Sequence, residues 1–202
     1  MTLEDLGYNK EFEEYRKEQN LDSFGIGRVI LEYKDRYTVK TESNEFDAEL
    51  VGNLRYTATN KNDLPAVGDW VAFSEYDEGK ALIHAVFPRN SILERKAIGK
   101  LGQTQIIATN IDFGLIVQSV NRDFNINRLE RYLTICNASK IEPIIVLSKI
   151  DLIEKQELED LLVQVQERIK NAPVIALSNQ SKIGVEEINS ILAKGKTYCL
   201  LG

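Results

Sequence analysis

A small antiparallel β-barrel followed by a parallel α/β unit is the architecture that this 202-residue sequence predicts. Three observations carry that expectation. Short β-branched and aromatic runs, separated by charged turns, fill the stretch from Phe24 to Pro88, and residues of that kind suit a pleated, half-buried surface. From Ile106 the rhythm changes to aliphatic runs alternating with amphipathic helical patterns, the mark of a parallel sheet covered on both faces. A hydrophobic content of 43% is enough to build a real core.

The elements follow in order. Residues 1–23 read as an acidic N-terminal segment, with Glu4, Asp5, Glu11, Glu13, Glu14, Glu18 and Asp22 against Lys10, Arg16 and Lys17. GIGRVILEY, RYTVKT and EFDAELV are each of strand length, and further apolar runs lie at Trp70–Phe73 and Leu82–Phe87. Pro65, Gly68 and Asp69 are turn residues just ahead of the strand that holds the only Trp. About five strands over residues 24–88 suit an OB-type barrel, and a sandwich fits nearly as well. Residues 89–105 read as a basic linker. Beyond it, FGLIVQS, PIIVLS, PVIALS and TYCLL are strands, and three helices lie between them. The first puts Leu129, Tyr132, Leu133 and Cys136 on one face, with Asn127 and Glu130 spaced as a cap and its partner. The second runs over Lys155–Asn171 and the third over Val185–Ala193.

Composition excludes several classes. No aliphatic run is long enough to span a bilayer, and Glu4 and Asp5 stand where a signal peptide would be basic. Cys136 and Cys199 are too few for a disulfide framework or a four-ligand zinc site, and read as buried thiols. A formal net charge of −6 argues against coating nucleic acid through bulk charge. Arg89, Arg95, Lys96 and Lys100 nevertheless form a local basic stretch opposed only by Glu94; it is either a phosphate-contacting patch or a solvated loop. His84 sits in an alternating strand and reads as a structural histidine. Tyr33, Tyr37, Phe46 and Tyr56 are either core residues or stacking groups for RNA bases.

Ligands of open parallel sheets bind outside the carboxyl ends of the strands. Those ends carry Ser148-Lys149-Ile150-Asp151, then Ser178-Asn179, then Gly202. A rigidly held carboxylate at Asp151 can accept two hydrogen bonds from the N1–H and N2–H₂ edge of guanine, a donor pair that adenine lacks. Lys149 can lay its stem along the purine face. Ser148 can tie this loop to a neighbour, and the N–H after Ser178 can meet guanine O6. The plain alternative is a charged turn with Asp151 as a helix cap. A strand that stops at a glycine, as KTYCLLG does, is also how a phosphate-binding loop opens.

Read as strand-SKID, strand-SN, strand-G, the second half resembles a P-loop GTPase domain with its motifs in permuted order. Together with AVGDWVAF, IHAVFPRNSILERKA, ATNIDFGLIVQSVN, DFNINRLERYLT, PIIVLSKIDL and KTYCLLG, that order resembles the circularly permuted ribosome small-subunit-dependent GTPase A family over about Phe24 to Gly202. The family usually opens its guanine motif with Asn or Thr where this chain has Ser148, and has Ser-Ala where it has Ser178-Asn179.

The resemblance implies an OB-type barrel followed by a three-layer α/β P-loop-GTPase-like domain over residues 106–202, circularly permuted and incomplete. Ser148, Lys149, Ile150, Asp151, Ser178 and Asn179 would bind guanine, and Gly202 would open the phosphate loop. It further implies GTP/GDP as ligand, Mg²⁺ and a structural zinc held by residues outside this chain, and no catalytic group within it. The implied protein is a cytoplasmic, monomeric GTPase of late small-ribosomal-subunit maturation, with the barrel on ribosomal RNA and no membrane contact. The 202 residues alone would then be inactive. The rival expectation is a non-catalytic RNA-binding adaptor that uses the barrel.

Overall fold

Alternation with a period of two becomes a closed barrel when one face of every strand is apolar. The computed structural model describes residues 1–96 and 104–202, which fall into two units, Met1–Ile111 and Asp112–Gly202. In the first unit, helix α1 (Lys10–Glu18) precedes strands β1 (Gly25–Tyr33), β2 (Arg36–Lys40) and β3 (Glu45–Leu50). Helix α2 (Gly52–Thr57) then leads to β4 (Trp70–Asp77) and β5 (Lys80–Val86). The strands close in the order β1-β2-β3-β5-β4. Only the β3–β5 contact is parallel. This is the OB-type barrel and not the sandwich. Val29, Tyr37, Val39, Phe46, Ala48, Val71, Phe73, Ala81 and Ile83 fill its interior.

The acidic N-terminal segment is folded structure. Asn9 caps α1 by accepting the Phe12 N–H at 3.1 Å. Tyr8, Phe12 and Tyr15, at helical spacing, cover the outer wall of the barrel at Ile26, Trp70, Ala72 and Phe87. Tyr8 meets the Trp70 ring edge-on at 5.0 Å, and Tyr15 meets Phe87 at 5.1 Å. Glu11, Glu14 and Glu18 lie on the solvated face of an amphipathic helix, and burying Phe12 alone contributes about 2 kcal/mol.

The basic stretch read as a linker is in part a hairpin. Strand β6 (Ile92–Lys96) pairs antiparallel with β7 (Thr104–Thr109). Arg89 is also not a surface cation: only 13% of its side chain is exposed, and it forms an ion pair with the fully buried Asp69. Its Nε and Nη2 donate to the two Asp69 oxygens at 2.9 and 2.6 Å. Its guanidinium also donates to the Asn62 and Leu64 carbonyls at 2.6 and 2.7 Å. Asp69 further accepts the Thr109 hydroxyl at 2.6 Å and the Ala66 N–H at 2.8 Å. All four acceptor positions of Asp69 and four of the five N–H donors of Arg89 are thus used, which is what keeping charge in a core requires. Beside it, Gly68 adopts φ +97°, and a Cβ there would lie 2.1 Å from the Thr109 carbonyl oxygen, so the turn admits only glycine.

The second unit comprises β8 (Phe113–Ser119), α3 (Ile126–Ala138), β9 (Glu142–Ser148), α4 (Lys155–Arg168), β10 (Val174–Leu177), α5 (Val185–Ile191) and β11 (Tyr198–Leu201). Its strands are all parallel, in the order β10-β9-β8-β11. One face packs Leu115, Ile144, Val146 and Ile175 against Ile188 and Ile191 of α5. The other lies under α3, where Cys136 crosses Gly114. Cys136 is fully buried and unpaired, and burial pushes its thiol up to about 11. Cys199 is also free but only partly buried. The cap of α3 is Asn125, not Asn127: its side chain accepts the Asn127 N–H at 2.9 Å. Glu130 instead takes a two-pronged contact from Arg168 of α4 at 3.0 and 2.7 Å.

Removing one partner of the Asp69–Arg89 pair strands a buried charge. Asp69→Ala or Arg89→Met is expected to lower unfolding free energy by about 3–5 kcal/mol in urea titration. The double variant is expected to recover part of that loss.

Candidate functional site

Parallel register places the candidate site. Leu177 of β10 and Ser119 of β8 both stand opposite Ser148 of β9, and Leu201 of β11 stands opposite Ile116. The four strands therefore end at one edge of the sheet, where Ser178, Ser148, Ser119 and Gly202 follow one another across the carboxyl ends.

Lys149 leaves β9 in a left-handed conformation, φ 61° and ψ 37°, which costs a non-glycine residue about 1 kcal/mol. The chain thereby reverses into one 3₁₀ turn, Ile150–Leu152, closed by the Leu152 N–H on the Lys149 carbonyl at 3.0 Å. Ile150 is buried and anchors the turn, while Lys149 and Asp151 face solvent. The Ser178 hydroxyl donates to Asp151 Oδ1 at 2.5 Å and accepts the Ser181 N–H at 3.1 Å. The Ser178 N–H donates to the Ile183 carbonyl at 2.9 Å. A fully buried serine, held at three points, thus orients an exposed carboxylate on the neighbouring loop. A carboxylate offers about four lone-pair positions, and the bond from Ser178 uses one.

The tie between the loops differs from the expectation in one respect. Ser178 makes it, whereas Ser148 holds the edge through its carbonyl, which accepts the Val120 N–H at 3.0 Å. Asn179 is exposed beside Ser178. Gly202 lies against β8, where a Cβ would stand 2.7 Å from the Val117 carbonyl oxygen. The Tyr132 hydroxyl donates to a terminal oxygen of Gly202 at 2.9 Å. Sequence reasoning placed Tyr132 on the buried face of its helix and missed this contact; its only sequence signal is a polar tip on an otherwise aliphatic face.

The residues considered for RNA contact separate. Arg89 is spent on Asp69. Arg95 is exposed and donates to Gln105 at 3.3 Å. The Lys96 side chain and Lys100 lie outside the described residues. Tyr37 and Phe46 belong to the barrel core, and burial pushes the Tyr37 hydroxyl up to about 12. Tyr33 and Tyr56 are 71% and 88% exposed. His84 places Nε2 2.7 Å from the Ser74 hydroxyl and its ring 4.5 Å from Phe24, and burial lowers its pKa. It is held as a structural histidine.

Among the described residues no group of three or more His, Cys, Asp or Glu comes together to hold a metal ion. The Mg²⁺ and zinc implied by the resemblance therefore have no assigned ligands there. No helix among them is long and apolar enough to cross a membrane.

Residues 86–202 match the RsgA GTPase family. "Small ribosomal subunit biogenesis GTPase RsgA 2" of Lactiplantibacillus plantarum is 40% identical over 177 residues, covering 88% of this chain and 49% of that protein. The crystal structure of YjeQ from Thermotoga maritima superposes with a TM-score of 0.69 at 21% identity, covering 88% of this chain and 59% of that one. YloQ, described as a circularly permuted GTPase, gives 0.66 at 23% identity over the same shares. At these identities the structural likeness shows the fold. The chain spans about half the length of the curated relatives it matches.

Ser178→Ala removes a hydrogen bond to a carboxylate and one from the Ser181 N–H, and is expected to destabilise the second unit by about 1–3 kcal/mol. Asn179→Ala, at an exposed position, is expected to stay within about 0.5 kcal/mol. Urea unfolding of both variants checks the contrast.

Proposed function

Because this chain belongs to the RsgA GTPase family, we propose that it carries the guanine-recognising side of a GTP-binding and GTP-hydrolysing factor. That factor acts in late maturation of the small ribosomal subunit, as a monomer in the cytoplasm. The observation that supports this most directly is the Asp151 carboxylate fixed by Ser178 at the carboxyl edge of a parallel sheet. Asp151 accepts the N1–H and N2–H₂ donors of guanine. Ser178 holds the carboxylate at the angle that both donors need, and the Asn179 N–H meets O6. Lys149 lays its stem on the purine face, and the Ser148 hydroxyl keeps part of the bonding that Asn or Thr gives in relatives. Adenine presents an acceptor where guanine has N1–H, which leaves the carboxylate opposed by a lone pair. A bidentate contact of this kind discriminates by about 1–3 kcal/mol.

Gly202 opens the phosphate loop in this reading. Hydrolysis in this class requires a cradle of backbone N–H groups, a lysine, a positioned water and Mg²⁺, which neutralises charge developing on the phosphates. The 202 residues contain no GxxxxGK[ST] stretch, so they are expected to show no GTP turnover by themselves. RNA contact belongs to the exposed Tyr33 and Tyr56 and to the basic stretch at Arg95, Lys96 and Lys100. A second reading, a non-catalytic RNA-binding adaptor, is favoured by those two exposed tyrosines alone.

Calorimetric titration with GDP and ADP separates the readings. The chain is expected to bind GDP at least about fivefold more tightly than ADP, and Asp151→Asn is expected to abolish the preference. Salt-sensitive RNA binding with equal response to GDP and ADP would overturn the guanine reading in favour of the adaptor.

A further inference from the structure

We propose that a cavity beside the β2–β3 turn of the barrel receives an arginine side chain presented by a basic polypeptide partner, a reading that does not depend on the guanine site. The cavity has a volume of about 490 Å³ and opens to solvent between the start of β1, the turn that joins β2 to β3, and β4. That size lies within the range of ligand sites, about 300–1,000 Å³. All the residues that line it belong to the first unit.

Its floor is apolar and aromatic. Phe46 and Phe73 both line it, with ring centroids 5.1 Å apart. Both rings belong to the barrel core, which fixes them in place. Ile26 and Leu3 add aliphatic surface. Gly25 also stands on the wall, and a Cβ there would lie 2.9 Å from the Phe73 ring. With no side chain at that position, the ring stays within reach of an incoming group.

Charge complementarity names the occupant. Glu42 of the turn and Glu75 of β4 line the cavity and are exposed, and among the described residues that line it none is basic. Lys40, just before the turn, already donates to Glu45 at 3.0 Å. Glu42 accepts the Leu3 N–H through Oε1 at 3.2 Å, which leaves most of its lone-pair positions open. The Ser74 hydroxyl lies 2.7 Å from His84 Nε2; whichever of the two donates, Ser74 keeps an acceptor position. A phosphate would meet two carboxylates here and no cation, so RNA is disfavoured. A guanidinium suits every part of the wall: its planar face packs on aromatic rings, its N–H fork meets carboxylates, and its aliphatic stem covers apolar surface. Free small ligands bury about 70–90% of their surface, which so open a cavity does not provide. A side chain tethered to a partner needs only its tip covered, and it gives up less freedom on entering.

The test titrates acetyl-Gly-Arg-Gly-amide into the 202-residue chain and follows backbone amide shifts by NMR. Its citrulline analogue, putrescine and a uridine oligonucleotide are the comparison probes. The arginine peptide is expected to move the amides of Gly25, Glu42, Ser43, Ser74 and Glu75. Citrulline keeps the shape and loses the charge, and its peptide is expected to bind at least about threefold more weakly. Glu42→Gln combined with Glu75→Gln is expected to weaken the arginine peptide about threefold to tenfold and to leave the citrulline peptide within about twofold. The amide oxygen introduced at position 42 can still accept the Leu3 N–H, so the unfolding midpoint is expected to stay in place; if the double variant unfolds, the comparison of the two peptides on the wild type decides. Equal binding of the two peptides, shifts centred elsewhere, no shifts, or an unchanged affinity in the folded double variant would overturn the proposal. Putrescine bound at these residues as tightly as the peptide would overturn the polypeptide occupant, and the oligonucleotide moving the same amides would overturn the cationic one.

Discussion

Parallel, in-register pairing of four strands is the constraint on which the candidate site depends. Parallel strands need a crossover between them, here a helix each time, and all their carboxyl ends then fall on the same edge. Residues far apart in sequence, Ser119, Ser148, Ser178 and Gly202, become neighbours without any local signal that they should. The left-handed Lys149 and the Ser178–Asp151 bond refine that arrangement. Without the shared edge neither would have a partner. A one-residue slip of β10 against β9 would exchange the faces of Ile175 and Ala176 and open the core.

The barrel poses a separate electrostatic problem. Its most buried charges, Asp69 and Arg89, are spent on each other and on the backbone, and they organise the turn at Gly68 and the end of β7. Outside, Arg36 is matched by Asp47 and Glu49, and Lys40 by Glu45, across β2 and β3. That face offers a phosphate backbone carboxylates as often as cations. The apolar outer wall at Trp70 and Ala72 is closed by α1. Among the described residues, the exposed aromatic rings of the first unit are those of Tyr33, Tyr56 and Tyr76.

Much of the fold was legible because period-two alternation survives in β2, β3 and β5 and aliphatic runs mark β8 to β10. Closure of the barrel was less so, since the parallel β3–β5 contact is long-range and leaves no trace in either strand. Helix α1 was hidden by its own carboxylates, although Tyr8, Phe12 and Tyr15 were in view at helical spacing. Arg89 looked like a surface cation because its partner lies 20 residues away; charge runs are visible in sequence, and burial is not. At the candidate site the residue types were readable, but the bond from the Ser178 hydroxyl to Asp151 was not foreseen. Which hydroxyl reaches Asp151 is set by the relative height of two loops, and no pattern within either loop encodes that.

The central claim is that Asp151, held by Ser178, meets a guanine base. Mapping amide shifts in the NMR spectrum of the chain on titration with GMP and, separately, AMP tests it most directly. The account predicts that GMP moves the resonances of Lys149–Asp151 and of Ser178 and Asn179, that AMP leaves them in place, and that the barrel strands stay silent with both. Equal shifts from the two nucleotides, or a GMP response confined to the barrel, would contradict it.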